Sequence, residues 1–139
     1  MKRLRIVPDT NVIISGILFG GIPRLILDML ISGQHDFFLS MQILEEIREV
    51  LNRPKFGFDN ESALLLIEEL HSLCKIVKPT KSINFIIDDP DDNKILECAV
   101  AANAEIIISG DSHLLSVGSC KDIKILSPRQ FISTAACRT

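Results

Sequence analysis

The most constraining feature of this sequence is a short apolar run, Ile106-Ile107-Ile108-Ser109. An unbroken β-branched run is typical of a strand buried on both faces, as in the centre of a parallel sheet. Parallel strands need long crossover connections, which are usually helices. The run therefore predicts a parallel sheet with helices packed on both of its faces.

Strand-like and helix-like segments alternate along the rest of the chain. Further β-rich runs lie at 4–7, where Pro8 is expected to end the strand, and at 37–40, 74–78 and 123–126. Helical periodicity is found at 22–32, at 41–52, at 61–73, from the acidic segment near 89 to about 103, and from Pro128 onward. The alternation predicts an α/β fold, a three-layer α/β/α sandwich with a central, mostly parallel sheet and right-handed crossovers. At 139 residues, the chain is expected to form a single domain spanning 1–139.

Composition narrows the class of protein. Hydrophobic residues make up 47% and charged residues 24% of the chain, which is ordinary for a globular protein and argues against disorder. No apolar run, including Val12 to Phe19, approaches the roughly 18 residues of a membrane span, and the start MKRLRIVPD lacks a signal-peptide core. We therefore expect a cytoplasmic protein without membrane contact. The four cysteines form no CxxC pair, so they are expected to be reduced, mostly buried thiols, and no zinc site is expected.

Two aspartates follow predicted strands. In a parallel α/β fold, strand carboxyl ends and helix N-termini share one edge of the sheet, where ligands bind. Asp9 follows the first strand and Asp111 follows the isoleucine run. Taken singly, each is equally typical of a turn or helix cap.

A third acidic site lies in the segment IIDDPDDNKIL at 86–96, which places four carboxylates within five residues. A helix start accounts for most of them, with Asp89 as N-cap and Pro90 at the first helical position. Asp92 differs, because the residues three, four and seven positions later, Ile95, Leu96 and Ala99, form the inward face of the helix. Asp92 is therefore predicted to face the sheet edge, whereas Asp91 can face water.

Glu46 is the fourth candidate. It lies on the shoulder of the apolar face of the helix at 41–52, whereas Glu45 lies nearly opposite that face. The alternative is an ordinary surface glutamate. Together, the acids predicted at this edge are Asp9, Glu46, Asp92 and Asp111.

Four carboxylates in one cleft repel one another unless a cation neutralises them. Oxygen ligands without neighbouring Cys or His favour Mg²⁺ or Mn²⁺. The residues expected to orient these carboxylates by hydrogen bonds are Thr10, Asn11, Ser40 and Ser109. With no P-loop and no GxSxG motif, this arrangement indicates metal-assisted phosphodiester hydrolysis, with Asp9 or Asp92 positioning the attacking water.

The ordered set of motifs resembles the PIN-domain ribonucleases, in particular the toxins of toxin–antitoxin pairs. The segments that carry the resemblance are VPDTNV at 7–12, SMQILEEIREVLNRPKF at 40–56, DDPDDNKILECAVAANAEIIISGD at 88–111, LL at 114–115 and the terminal FIS at 131–133. The resemblance implies that Asp9, Glu46, Asp92 and Asp111 form the acidic quartet of the family, with Ser109 in its Thr/Ser position. It further implies a Mg²⁺- or Mn²⁺-dependent endoribonuclease acting on single-stranded RNA, a small antitoxin partner and a homodimer.

One departure from the family pattern concerns His113, since relatives commonly carry a further acid at this position. The departure leaves open a fifth ligand and a second metal position; the alternative is that His113 only starts a helix over the site.

Three alternatives differ in their sequence requirements. A receiver-like, Mg-binding phosphorylation switch needs adjacent acids after strand one and a Lys-Pro after the last strand, whereas this chain has Asp9 alone and Lys78-Pro79 in mid-chain. A phosphohydrolase with an aspartyl nucleophile needs an acid where Asn11 stands. A PIN-like domain that binds RNA without cleaving it is the third.

Overall fold

The protein is represented by a computed structural model that describes residues 3–80, 90–120 and 122–136. The strands are β1 (Arg5–Pro8), β2 (Asp36–Ser40), β3 (Lys75–Val77), β4 (Ile106–Ile108), β5 (Ser119–Cys120) and β6 (Ile123–Leu126). The helices are α1 (Thr10–Leu18), α2 (Gly21–Ser32), α3 (Met41–Leu51), α4 (Asn60–Leu73), α5 (Pro90–Ala101), α6 (Ser112–Val117) and α7 (Pro128–Ala136), with a 3-10 turn at Pro54–Phe56. The predicted three-layer α/β/α class is confirmed.

The described strands form one six-stranded sheet in the order β3-β2-β1-β4-β6-β5. All neighbouring pairs are parallel except β5 and β6, which are antiparallel. From β1 the chain builds outward through β2 to β3, then crosses back to place β4 on the other side of β1. The direction of winding therefore reverses between β1 and β4, and the carboxyl ends of two strands at such a reversal open a crevice for ligands.

The isoleucine run lies at the centre of the sheet, as predicted. In β4, Ile107 and Ile108 are completely buried, and their register partners are Val7 and Pro8 of β1 on one side and Ile125 and Leu126 of β6 on the other. β1 extends one residue further than predicted, since Pro8 pairs with Ile108 and the Asp9 backbone N–H then donates to the Ile108 carbonyl at 2.8 Å. Asp9 is thereby fixed next to β4.

Three elements were absent from the prediction: α1, α6 and β5. The prediction treated Val12 to Phe19 only as an apolar run, whereas Thr10–Leu18 is a helix that buries Val12, Ile13 and Ile14. Short apolar runs do not distinguish a buried helix from a buried strand. The predicted N-cap Asp89 and the side chain of Asp91 lie outside what the structure describes.

Two cysteine side chains are described, and both Cys74 and Cys98 are free and buried. Burial raises the pKa of each thiol to about 12, so neither is a ready nucleophile. The prediction of reduced, buried thiols holds for these two; the side chains of Cys120 and Cys137 are outside the described set.

Within the described ranges, no single helix has the length and apolar character needed to cross a membrane. Helices α1 and α2 have that length and apolar character only when they are taken together, and a bend of 102° separates them.

Candidate active site

An open polar cavity of about 450 Å³ lies at the carboxyl edge of the sheet. The residues that line it are Asp9, Asn11, Gln42, Glu45, Glu46, Glu49, Val50, Arg53, Asp92, Lys94 and Asp111. All four acids predicted from the sequence are therefore brought to one cavity. The ends of β1 and β4 form its floor, and α3 and α5 form its walls.

Asp9 sits at the floor of the cavity with only 6% of its surface exposed. The Ser109 hydroxyl donates to Asp9 Oδ2 at 2.7 Å, and the hydroxyl oxygen of Ser109 accepts from the Asp111 backbone N–H at 3.0 Å. Ser109 thus links the residues that follow β1 and β4. Burial raises the pKa of Asp9 above its usual range and the nearby Asp111 charge acts in the same direction, although the Ser109 hydrogen bond and the backbone N–H groups of Asn11 and Thr10 oppose the shift.

Asp92 is also buried, with 4% of its surface exposed. It lies in the first turn of α5, on the same side of the helix as the buried Ile95, Leu96 and Ala99. The orientation predicted from the helical period is therefore observed.

Asp111 caps α6. Its Oδ1 accepts a hydrogen bond from the His113 backbone N–H at 2.7 Å, and the His113 ring nitrogen Nδ1 lies 3.5 Å from the same oxygen. Three possible ligand atoms lie within 4.8 Å of one another, one each from Asp92, Asp111 and His113.

This spacing fits a divalent cation with little adjustment. Ligand atoms around an octahedral ion at about 2.1 Å are about 3 Å apart when adjacent and about 4.2 Å apart when opposite. Two carboxylates and an imidazole are also a donor set that a divalent metal accepts. This group of three differs from the predicted ligand set. Asp9 and Glu46 line the same cavity but do not belong to the group, and His113 was not among the predicted ligands.

Glu46 occupies the α3 wall of the cavity. Its side chain is 24% exposed and its Oε2 lies 3.7 Å from Lys94 Nζ on α5. Glu45 is exposed, in agreement with the helix phase predicted for this pair, although it too lines the cavity. Lys94 therefore brings a positive charge to a cavity whose other charged lining residues, apart from Arg53, are acidic.

The sequence model of the PIN domain family matches residues 5–113, most of the chain. The chain belongs to the PIN domain family. Among functionally curated proteins, none has a sequence that matches this PIN domain.

Solved structures share its fold. VapBC2 from Rickettsia felis, crystallised with a DNA fragment from its promoter, has a TM-score of 0.64 and 14% identity, covering 89% of this chain and 98% of the other. VapBC-1 from nontypeable Haemophilus influenzae has a TM-score of 0.62 and 17% identity, covering 91% and 99%. The family assignment sets aside the receiver-like switch and the aspartyl-nucleophile phosphohydrolase.

The residues predicted to orient the carboxylates are used in different ways in this PIN domain. Ser109 contacts Asp9 directly, as described above. Thr10 is buried at the first position of α1, and Asn11 lies exposed on the cavity wall. Ser40 caps α3 instead, since its buried hydroxyl accepts a hydrogen bond from the Ile43 backbone N–H at 3.2 Å.

Several cavity residues of this PIN domain were missed by sequence reasoning. Gln42, Glu46 and Glu49 follow one another at intervals of four and three residues, so they share one face of α3. Applying that period to Glu46 would have found Gln42 and Glu49, whereas Arg53 lies past the end of α3, in extended backbone. Lys94 carries no such signal, because its contact with Glu46 depends on how α5 and α3 meet. For His113 the signal was its position, where relatives commonly carry a further acid.

Proposed function

We propose that this PIN domain is a divalent-metal-dependent endoribonuclease that hydrolyses phosphodiester bonds in single-stranded RNA. The observation that carries the proposal is the convergence of Asp9, Glu46, Asp92 and Asp111 on one cavity, with ligand atoms of Asp92 and Asp111 close enough to share a cation. Family membership supports nuclease activity. Mg²⁺ and Mn²⁺ suit the carboxylates of this site.

The side chains that line the cavity have different roles in the proposed reaction. Asp92 and Asp111 would hold the cation, which would supply Lewis acidity towards the scissile phosphate and the attacking water. Asp9, fixed by Ser109 at the floor, accepts a hydrogen bond from the attacking water and orients it. Arg53 and Lys94 on the walls offer positive charge to the RNA phosphates, which an otherwise acidic cavity repels.

The biological setting we propose is a toxin–antitoxin pair acting in the cytoplasm. The sequence motifs resemble the toxin subgroup of the family, and the two similar structures are of VapBC proteins. In this proposal, a small antitoxin binds the protein and blocks cleavage, and the nuclease acts as a homodimer.

The test is cleavage of a labelled single-stranded RNA by the purified protein in EDTA, Mg²⁺ and Mn²⁺. We expect cleavage only with metal, and a loss of about 10- to 100-fold in Glu46→Gln, because this substitution removes a charge beside the metal site. Glu45→Gln is the matched control, since it makes the same change on the neighbouring, exposed residue and should retain activity.

Each outcome has a defined meaning. RNA bound but left intact with both metals would indicate the non-cleaving alternative and reject the nuclease. Equal loss in the two glutamine variants would show that Glu46 has no particular role. A duplex RNA cleaved as fast as the single strand would reject the proposed substrate class.

A further inference from the structure

We propose that His113 supplies a nitrogen ligand to the catalytic cation, so that the site binds Mn²⁺ in preference to Mg²⁺. The ligand group contains one imidazole and two carboxylates, from His113, Asp92 and Asp111, within 4.8 Å of one another. The inference rests on the proposed function because it concerns the same site, but it addresses which atoms bind the metal and which ion they select.

The chain holds His113 at the rim of the cavity. Its backbone N–H is bound by Asp111 Oδ1 at 2.7 Å, and its carbonyl accepts a hydrogen bond from the Ser116 hydroxyl, also at 2.7 Å. Leu114 is completely buried and anchors α6 to the core. The backbone that carries the imidazole is therefore fixed relative to Asp111.

The three ligands form a series from the interior to solvent. Asp92 has 4% of its surface exposed, while the side chains of Asp111 and His113 are 25% and 76% exposed. Asp92 would hold a cation from the interior, and Asp111 and His113 would hold it from the exposed side. The open cavity would let water and an RNA phosphate reach the ion, as a catalytic rather than a purely structural metal site requires.

A surface ion pair between His113 and Asp111 is the alternative explanation of their 3.5 Å approach. Such a pair contributes little to stability and does not involve Asp92. The convergence of all three ligand atoms is what favours metal ligation over the pair.

The donor set determines the choice of ion. Mg²⁺ prefers oxygen ligands and gives up its water reluctantly, whereas imidazole nitrogen is a better ligand for transition-metal ions. With His113 as ligand, the dissociation constant for Mn²⁺ should be well below that for Mg²⁺. A carboxylate at this position would make all three ligands oxygen and reduce the difference.

The experiment measures metal binding directly, without RNA. Mn²⁺ is titrated into the full chain and followed by electron paramagnetic resonance, with pulsed spectra recorded to detect coupling to imidazole nitrogen. Calorimetry gives the dissociation constants for Mn²⁺ and Mg²⁺. The variants are His113→Gln, His113→Asp and, as matched control, His71→Gln, which changes an exposed histidine on α4 outside the cavity lining.

We expect nitrogen coupling in the wild type and in His71→Gln, and none in either variant at 113. The preference for Mn²⁺ over Mg²⁺ should fall by about tenfold or more in His113→Asp, in line with the cost of altering a metal's ligand environment. Wild type prepared with ¹⁵N-labelled histidine should show ¹⁵N in place of ¹⁴N coupling, which keeps the test valid if a variant fails to fold.

Bound Mn²⁺ without imidazole coupling in the wild type, or an unchanged ion preference in His113→Asp, would overturn the inference. Failure of the wild type to bind Mn²⁺ would overturn it as well. RNA cleavage without imidazole coupling would leave the proposed function standing and reject this inference alone. Coupling without cleavage of any RNA would support the ligand and reject the nuclease.

Discussion

At the scale of single residues, Asp9 is a carboxyl group whose ionised form is disfavoured by its surroundings. Its carboxylate is buried and has Asp111 nearby, and both effects raise its pKa. The Ser109 hydrogen bond offsets only part of this. A bound cation would remove the conflict, because it favours the ionised form. Burial of this carboxylate therefore costs stability, which is typical of the catalytic role that we propose for it.

We expect Asp9→Asn to abolish cleavage while increasing the free energy of unfolding in EDTA by about 1 kcal/mol, typical of a substitution that relieves a functional site. The reason is that the amide occupies the same space without a buried charge. Urea unfolding at pH 7 measures the change, with Glu45→Gln as a control that should be near neutral. A less stable Asp9→Asn would show that Asp9 is a structural anchor.

The raised pKa of Asp9 determines how the stability of the protein changes with pH. Because the folded state holds the Asp9 proton more tightly than the unfolded state, stability from this group is full below about pH 3.8 and is lost as pH rises through the raised pKa. In EDTA, wild type should therefore become less stable relative to Asp9→Asn as pH rises from about 3.8 towards neutrality. Parallel pH profiles would contradict the predicted shift.

At the scale of elements, the packing of α1 on α2 depends on Gly16. A Cβ at this buried position would lie 2.9 Å from the Pro23 carbonyl oxygen and 3.2 Å from its carbon. Both are backbone atoms, which cannot move aside as a flexible side chain can. Glycine therefore permits the close approach of the two helices, and α1 in turn follows directly from Asp9.

We expect Gly16→Ala to lower the free energy of unfolding by about 1–2 kcal/mol. Alanine gains up to about 1 kcal/mol in helix propensity, but overpacking costs about 1–3 kcal/mol. Ser15→Ala is the matched control, since it introduces alanine at the adjacent position of the same helix. A stabilised Gly16→Ala in urea titrations would mean that α1 and α2 separate without cost.

The same elements show what the sequence could and could not predict. α3 and α4 were predicted to within one residue from their clear apolar periods. In the structure each helix also has a cap, Ser40 and Asp59, whose side chain accepts from the third helical N–H. α1 was missed because its apolar run has no strong period, although Asp9 at its N-cap position is a residue type typical of helix starts.

At the scale of the whole molecule, the position of the site follows from topology. The order β3-β2-β1-β4-β6 places the reversal of winding between β1 and β4, the strands that Asp9 and Asp111 follow in the chain. Strand alternation along the chain was sufficient to predict a shared edge, and helical phase was sufficient to orient Asp92. Neither gives the distance from α5 to α3 or to α6, so the pairing of Lys94 with Glu46 and the approach of His113 to Asp92 emerge only in three dimensions.

Cys74 and Cys98 lie in one hydrophobic core, so the rates at which their thiols react should follow the unfolding of the domain. Burial raises the pKa of Cys74 and Cys98 to about 12, so about one thiol in ten thousand is ionised at pH 8, and the thiolate is the reactive form. Both residues belong to the central hydrophobic cluster. Alkylation at these positions should therefore require opening of the core, and its rate should rise with urea in parallel with global unfolding.

Iodoacetamide labelling followed by peptide mass spectrometry tests this at both sites separately. We expect neither peptide to be modified in native protein over times that fully modify the urea-unfolded chain. If Cys74, at the end of α4, is labelled quickly while Cys98 in α5 stays protected, α4 opens independently of the sheet and the molecule is not one cooperative unit. Equal protection at both positions would instead mean that α5, which carries Asp92, opens only when the whole domain unfolds, so the buried end of the site is as stable as the fold itself.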